Sequence, residues 1–196
     1  MQIILLTIAL LILSSCNHKN TAVPGANMVE AKPDTTRDTI VHPSPAALIF
    51  SPALQHINTG TTTPEQLLAF AKTLIGTAYS FASADPAVGF DCSGFLTYTF
   101  NHFHIAVPRS SVNFTNIEKK VALSAAKPGD LVLFTGTDST SRVAGHIGII
   151  TSCENGEYYF IHSTSGKAMG VTISALSKYY AFRFLKAIRI FPQNGL

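Results

Sequence analysis

The hydrophobic rhythm of the chain changes along its length. Residues 3–13 are apolar except for Thr7. That run is shorter than the ~20 residues a membrane-spanning helix needs, and its length fits a signal-peptide core. From Asn17 to about Gly60 no apolar period persists, and Pro24, Pro33, Pro43, Pro45 and Pro52 lie among Thr, Asn, Asp and Ser. Such a composition predicts an extended linker, with the more apolar residues 46–54 a candidate for packing on the downstream domain. Helical spacing begins at TTTPEQLLAFAKTLIG, where Leu67, Leu68, Ala71, Leu74 and Ile75 predict a core face. Thr63 is placed to cap this helix, Pro64 suits its first position, Gln66 completes a capping box and Gly76 stops it. A second helix is predicted from about Cys92 to His104, and residues 108–120 hold room for a short third. Beyond residue 128 the period shortens to that of strands. GDLVLF follows a Lys-Pro-Gly turn, GHIGIIT and EYYFIHS flank a hairpin turn at Asn155-Gly156, and KAIRIF closes the series before Pro192. Helices first and an antiparallel sheet afterwards predict an α+β domain.

Composition changes this picture little. The net charge of +3 comes from scattered basic residues, with no basic stripe or nucleic-acid-binding signature, so nucleic acid is not an expected partner. The apolar leader ends in Leu13-Ser14-Ser15-Cys16, which resembles the bacterial lipobox. On that reading residues 1–15 are a lipoprotein signal peptide, and Cys16 carries the lipid. Residues 16–60 form a linker and residues 61–196 the domain. The expected location is the cell envelope, lipid-anchored to a bacterial membrane and facing periplasm or surface. The alternative is an ordinary secretory signal with an incidental cysteine.

Two cysteines remain, Cys92 and Cys153. In an oxidising compartment they could form a disulfide. No CxxC or HxxxH spacing supports a metal site. The surroundings of Cys92, in GFDCSGF, suit a nucleophile better than a staple. A thiol at a helix N-terminus is expected to have a lowered pKa. Asp91 can cap that helix, the N–H groups of Cys92 and Ser93 can face an oxyanion, and Gly89 and Gly94 let backbone or substrate approach. A base must come from the seven histidines. His18, His42 and His56 lie in the tail. His102 and His104 lie ten and twelve residues down the same helix, ~15–18 Å along its axis. His146 opens one hairpin strand and His162 closes the other. If the hairpin turns at Asn155-Gly156, both histidines reach the same end of strands ~4.8 Å apart. One ring can then take the thiol proton while the other orients it.

The blocks GTAYSFASADPAVGFDCSGFLTYTF, VPRSS, KPGDLVLF, GHIGII and FIHSTSGKAMGVTIS resemble, in order and spacing, the NlpC-type cysteine peptidases. The resemblance runs from roughly residue 63 to 191. It implies a papain-like domain, with helices packed on an antiparallel sheet, that cuts peptides of bacterial peptidoglycan. Carried over residue by residue, it makes Cys92 the nucleophile, His146 the general base and His162 its orienting partner. Tyr79 matches a tyrosine near the nucleophile that can help hold an oxyanion. Asp91, Ser93 and Arg109 fall in motif positions beside the cleft. The bond implied joins γ-D-glutamate to a diamino acid in the stem peptide. No metal or organic cofactor is implied, and a monomer is expected. Where many members carry WGG this chain has Ser80-Phe81-Ala82, and the tail is too short and Pro-interrupted for the SH3-like domains many members bear. Alternatives are an amidase or acyltransferase of the same fold, a non-catalytic wall-binding lipoprotein, and a disulfide-stabilised structural protein.

Overall fold

The computed structural model describes residues 55–117 and 119–195. The leader, Cys16, His18, His42 and all but the end of the linker lie outside the described residues. Helix α1 spans Pro64–Thr73 and α2 spans Cys92–Asn101, with the short hairpin β1 (Ala84–Asp85) and β2 (Gly89–Phe90) between them. The later strands are β3 (Lys120–Val121), β4 (Leu131–Thr135), β5 (Ala144–Glu154), β6 (Glu157–Thr164), β7 (Gly170–Ala175) and β8 (Phe184–Ile188). A short helix, α3 (Tyr179–Arg183), precedes β8. The six-stranded sheet has the order β3-β8-β4-β5-β6-β7, and every pairing is antiparallel. This is the α+β arrangement that the chain's rhythm predicts.

Helix α1 begins as its sequence dictates. Thr63 Oγ1 accepts from Gln66 N, and Gln66 Oε1 accepts from Thr63 N at 2.9 Å, so two orphan donors are satisfied reciprocally. Leu67, Leu68 and Ala71 are buried. Ile75, expected on this face, is 49 % exposed, because the helix ends at Thr73 and the face no longer turns inward beyond it. Helix α2 likewise stops at Asn101, short of His104. The third segment is a 3-10 helix, Ser111–Asn116.

The sheet separates two apolar clusters. Leu131, Leu133, Ile147, Ile149 and Ile161 join Phe95, Leu96, Phe100 and the buried residues of α1 on one face. Ile57, on the linker side of residue 61, is buried in the same cluster. Val132, Phe134, Ile150 and Phe160 build the second cluster on the other face. The hairpin between β5 and β6 turns at Asn155 (φ 51°) and Gly156 (φ 80°), the two left-handed positions a tight hairpin of this twist requires. Strand β8 covers Phe184–Ile188, earlier than the KAIRIF pattern suggests. Arg189 leaves the ladder to pair with the fully buried Asp130 at 3.0 Å, and Pro192 has no N–H to extend it. Strand β7 lies within a block that only the family resemblance marks, and its mixed burial gives little alternation to read.

Candidate active site

Asp91 sets the start of α2. Its side chain accepts from Gly94 N at 2.6 Å, a cap in which the carboxylate also meets the positive end of the helix dipole. The same carboxylate is held by both guanidinium nitrogens of Arg109, at 3.0 and 2.7 Å. Ser93 Oγ closes the cluster, 3.2 Å from Asp91 Oδ1 and 3.1 Å from Arg109 Nη1. The three motif residues read from the sequence therefore meet one another beside Cys92. Gly94 has a packing role: a Cβ there would lie 2.0 Å from the carbonyl oxygen of Ser83, so it admits backbone rather than substrate.

Strand β5 presents the histidine to the same place. Pairing of β5 with β6 runs from Glu154↔Glu157 back to Ile149↔Ile161. The first turn of α2 meets β5 ahead of that point. Cys92 Sγ donates to Gly145 O at 3.9 Å, and the N–H of Ile147 also faces the sulfur. His146 stands between these two residues and lines the cavity that Cys92 lines. The thiol's hydrogen bond goes to the Gly145 carbonyl, not to the imidazole.

The two histidines meet as the hairpin register allows. Alternation puts both rings on the sheet face of Phe134 and Phe160. His146 Nε2 lies 2.8 Å from His162 Nδ1. The contact is diagonal, through the space Gly148 leaves: a Cβ at Gly148 would sit 3.2 Å from His162 Cβ and 2.6 Å from the Phe160 ring. His162 Nε2 is in turn 2.9 Å from Ser174 Oγ on β7. Phe134, Phe160 and Tyr180 enclose the pair, with Tyr180 stacked on His146 at 6.1 Å and edge-on to His162 at 5.3 Å.

Burial decides the electrostatics. Burial holds His146 well below the ordinary imidazole pKa, and His162 and Arg183 nearby push the same way. His162 is lowered to about 3 by burial and then by Arg183. The thiol departs from the sequence expectation of a lowered value. Burial pushes Cys92 up, the Asp91 carboxylate adds to this, and the N–H groups of Ser93, Ile147 and Cys92 offset only part. Loss of water outweighs the helix terminus here. Both partners consequently rest uncharged near neutral pH, as thiol and imidazole. Burial, then the charges of Cys92 and Asp91, raises the pKa of Tyr79, so its phenol keeps a proton to donate toward the cleft it lines.

Cys92 and Cys153 are both free thiols. Cys153 sits in β5, not in the hairpin turn, and is exposed. It lies eight residues along the strand from Gly145, roughly 26 Å at the rise of an extended chain, which no disulfide spans. The disulfide reading therefore fails. His102 stacks on Phe70 at 3.7 Å at the far end of α2, and His56 is exposed. Among the described residues, no group of three metal-ligating side chains comes together. Three cleft residues escaped the sequence reading: Ser174, Tyr180 and Arg183. Ser174 arrives on β7, inside a block quoted for the family resemblance but given no role there, and Tyr180 and Arg183 arrive on α3, which carries no motif. Phe81, in place of the usual WGG, is 86 % exposed on the Asp91 side of the cleft.

Comparison with known proteins places this geometry among relatives. The NlpC/P60 family model matches residues 76–189. The chain is 32% identical over 129 residues to a γ-DL-glutamyl hydrolase of Bacillus subtilis, covering 66% of this chain and 30% of that protein. It is 35% identical over 118 residues to a probable endopeptidase NlpC homolog of Haemophilus influenzae, covering 59% and 57%. The chain thus spans less than two thirds of the length of either relative. A solved NlpC/P60 family protein from Bacillus cereus superposes with a TM-score of 0.58 at 28% identity, covering 69% of this chain and 42% of the other.

Proposed function

The chain belongs to the NlpC/P60 family, and from that premise we propose that it is a cysteine peptidase hydrolysing peptides of the bacterial cell wall. The observation that carries this reading is that Cys92 and His146 line one cavity, with the His146 imidazole backed at 2.8 Å by the buried His162. Relatives named as a γ-DL-glutamyl hydrolase and as an endopeptidase support it. The bond proposed is the one between γ-D-glutamate and a diamino acid in the stem peptide. Cys16 is proposed as the lipid attachment point that holds the domain at the envelope, acting as a monomer.

His146 Nε2 is engaged by His162, which leaves Nδ1 to act as base. The thiol and imidazole start neutral, so the proton moves as the bond forms. His146 takes the Cys92 proton while sulfur attacks the amide carbonyl carbon. The oxyanion gathers at N–H groups of the first α2 turn and the Tyr79 hydroxyl. The C–N bond then breaks, and the departing nitrogen takes the proton from His146, leaving a thioester on Cys92. Water gives a proton to His146 and attacks the thioester. The C–S bond breaks, the acid is released, and the proton returns to sulfur. Digestion of L-Ala-γ-D-Glu-L-Lys by the wild-type domain and by Cys92→Ala, followed by chromatography, tests the reading. Release of lysine by the wild type alone is expected. Release by Cys92→Ala, or by neither protein, would overturn it.

A further inference from the structure

We propose that the cavity on the histidine side of Cys92 is a carboxylate-binding subsite, so that the preferred substrate carries a free carboxylate on its leaving half. The inference rests on the peptidase reading above for the identity of that substrate.

Cys92 lies between two depressions of opposite electrostatic character. On the Asp91 side the charges cancel, because Arg109 and Asp91 are paired. On the histidine side a cavity of about 960 Å³ is lined by Lys167 and Arg183, and no Asp or Glu is among its lining residues. Lys167 is exposed on the loop joining β6 to β7. Arg183 is only 7% exposed. Its Nη2 donates to Thr135 O at 2.8 Å, and its Nη1 donates to the Tyr179 hydroxyl, both neutral acceptors. Its Nε has no hydrogen-bond partner. The two ion pairs among the described residues, Arg109–Asp91 and Arg189–Asp130, do not include it. The Tyr179 and Tyr180 rings, 4.7 and 5.9 Å from Cζ, offer their faces to the cation. They supply no opposite charge. A buried cation lacking a counter-charge is unfavourable, and an anion entering the cavity would relieve it.

The direction of the substrate follows from the histidine. His146 lines this cavity and not the one beside Asp91. The leaving nitrogen takes its proton from His146, so the amine half of the substrate lies here. The hydroxyls of Thr164, Ser165 and Thr172 border the same space and can complete the hydrogen bonds of a carboxylate. A diamino acid with a free carboxylate fits this lining, whereas a carboxamide in its place forfeits the charge attraction.

The test uses two peptides, L-Ala-γ-D-Glu-L-Lys and its C-terminal carboxamide. The ratio of their kcat/KM values is measured within each protein, so any rate loss common to both peptides cancels. Wild type is expected to prefer the acid by at least about tenfold, the scale of one charge-assisted contact. Lys167→Met and Arg183→Met are expected to bring the ratio toward one, and the exposed Lys167 keeps the test open if Arg183→Met does not fold. Equal rates in the wild type would overturn the subsite while leaving the peptidase intact. A ratio unchanged in the folded variants would also overturn it. If neither peptide is cut, calorimetric binding to Cys92→Ala decides. Preference for the acid would uphold the subsite while the peptidase reading falls, and equal binding would overturn both.

Discussion

The two walls beside Cys92 are built on opposite plans. On one, Asp91, Ser93 and Arg109 satisfy one another, and the Asp91 carboxylate also caps α2. Little of that carboxylate is left for a substrate, so the wall's first task is to fix the position of the thiol. On the other wall, two imidazoles and a guanidinium are buried with neutral partners. The imidazoles are held in their neutral form by burial and the guanidinium has no counter-charge beside it among the described residues, which is where proton transfer and ligand binding find their driving force. The side chains next to the proposed nucleophile in sequence thus serve mainly as scaffold. Apart from Tyr79 and the N–H groups of the first α2 turn, those that would share its chemistry lie 54 residues and more downstream, from His146 onward.

The largest test of that division is removal of Cys92, the proposed nucleophile. Cys92→Ala is expected to lower hydrolysis by ~10⁴-fold or more, because the members of a nucleophile–base unit act together. Its melting temperature should stay near that of the wild type. Comparable hydrolysis by the variant would erase the distinction between the walls.

Acidification should strike the histidine wall next. His162 has a folded pKa of about 3, whereas an unfolded imidazole titrates near ~6.5. Between these values the unfolded chain binds a proton that the folded chain refuses, so stability falls as pH drops through this window. From pH 6.5 to 4.5 the loss attributable to His162 is on the order of 2–3 kcal/mol. Urea titrations at the two pH values check this, and His162→Gln should lose less than wild type over the same interval. Gln can still accept from His146, so this variant should also keep partial peptidase activity. A wild-type rate in His162→Ala would remove His162 from the orienting role.

The Asp91 wall should answer mainly in stability. Asp91→Ala removes the cap of α2 and leaves Arg109 unpaired. A loss of about 1–2 kcal/mol is expected, the scale of an N-cap. The ion pair adds little to this because the Arg109 side chain is 44% exposed. Urea unfolding at pH 7 reads the loss. A fully stable variant whose kcat collapses would turn this wall from scaffold into chemistry.

These contrasts also explain what could be read from the chain. The cap of α1, the capped start of α2 and the hairpin at Asn155-Gly156 depend on residues within four positions of each other, and each was legible. The pairing of His146 with His162 followed from one turn and the two-residue period of strands. The direction of the Cys92 pKa did not follow, because it depends on how much water the assembled cleft excludes. Ile75 was misplaced because periodicity does not mark where a helix stops. Arg183 and Tyr180 sit in a five-residue helix too short to show a period. Their roles arise only when α3 folds back over the sheet.

Ser174 offers the finest test of the histidine wall. If His146 Nδ1 is to take the thiol proton, its Nε2 must carry hydrogen and donate to His162 Nδ1. His162 must then hold its own hydrogen on Nε2, where Ser174 Oγ lies 2.9 Å away to accept it. Ser174 thereby acts as a positioning residue that fixes the tautomers of both rings. Ser174→Ala removes one neutral hydrogen bond worth about 1 kcal/mol, so kcat should fall by roughly fivefold with little change in KM. Ser174→Thr keeps the hydroxyl and should recover most of the rate. Nitrogen-15 spectra of labelled histidine give a readout that a packing defect alone would not move. In the wild type His162 should show a protonated Nε2 and a bare Nδ1, and the alanine variant should show a mixture. A single unchanged tautomer in Ser174→Ala, with unchanged kcat, would end the line of proton-bearing groups at His162.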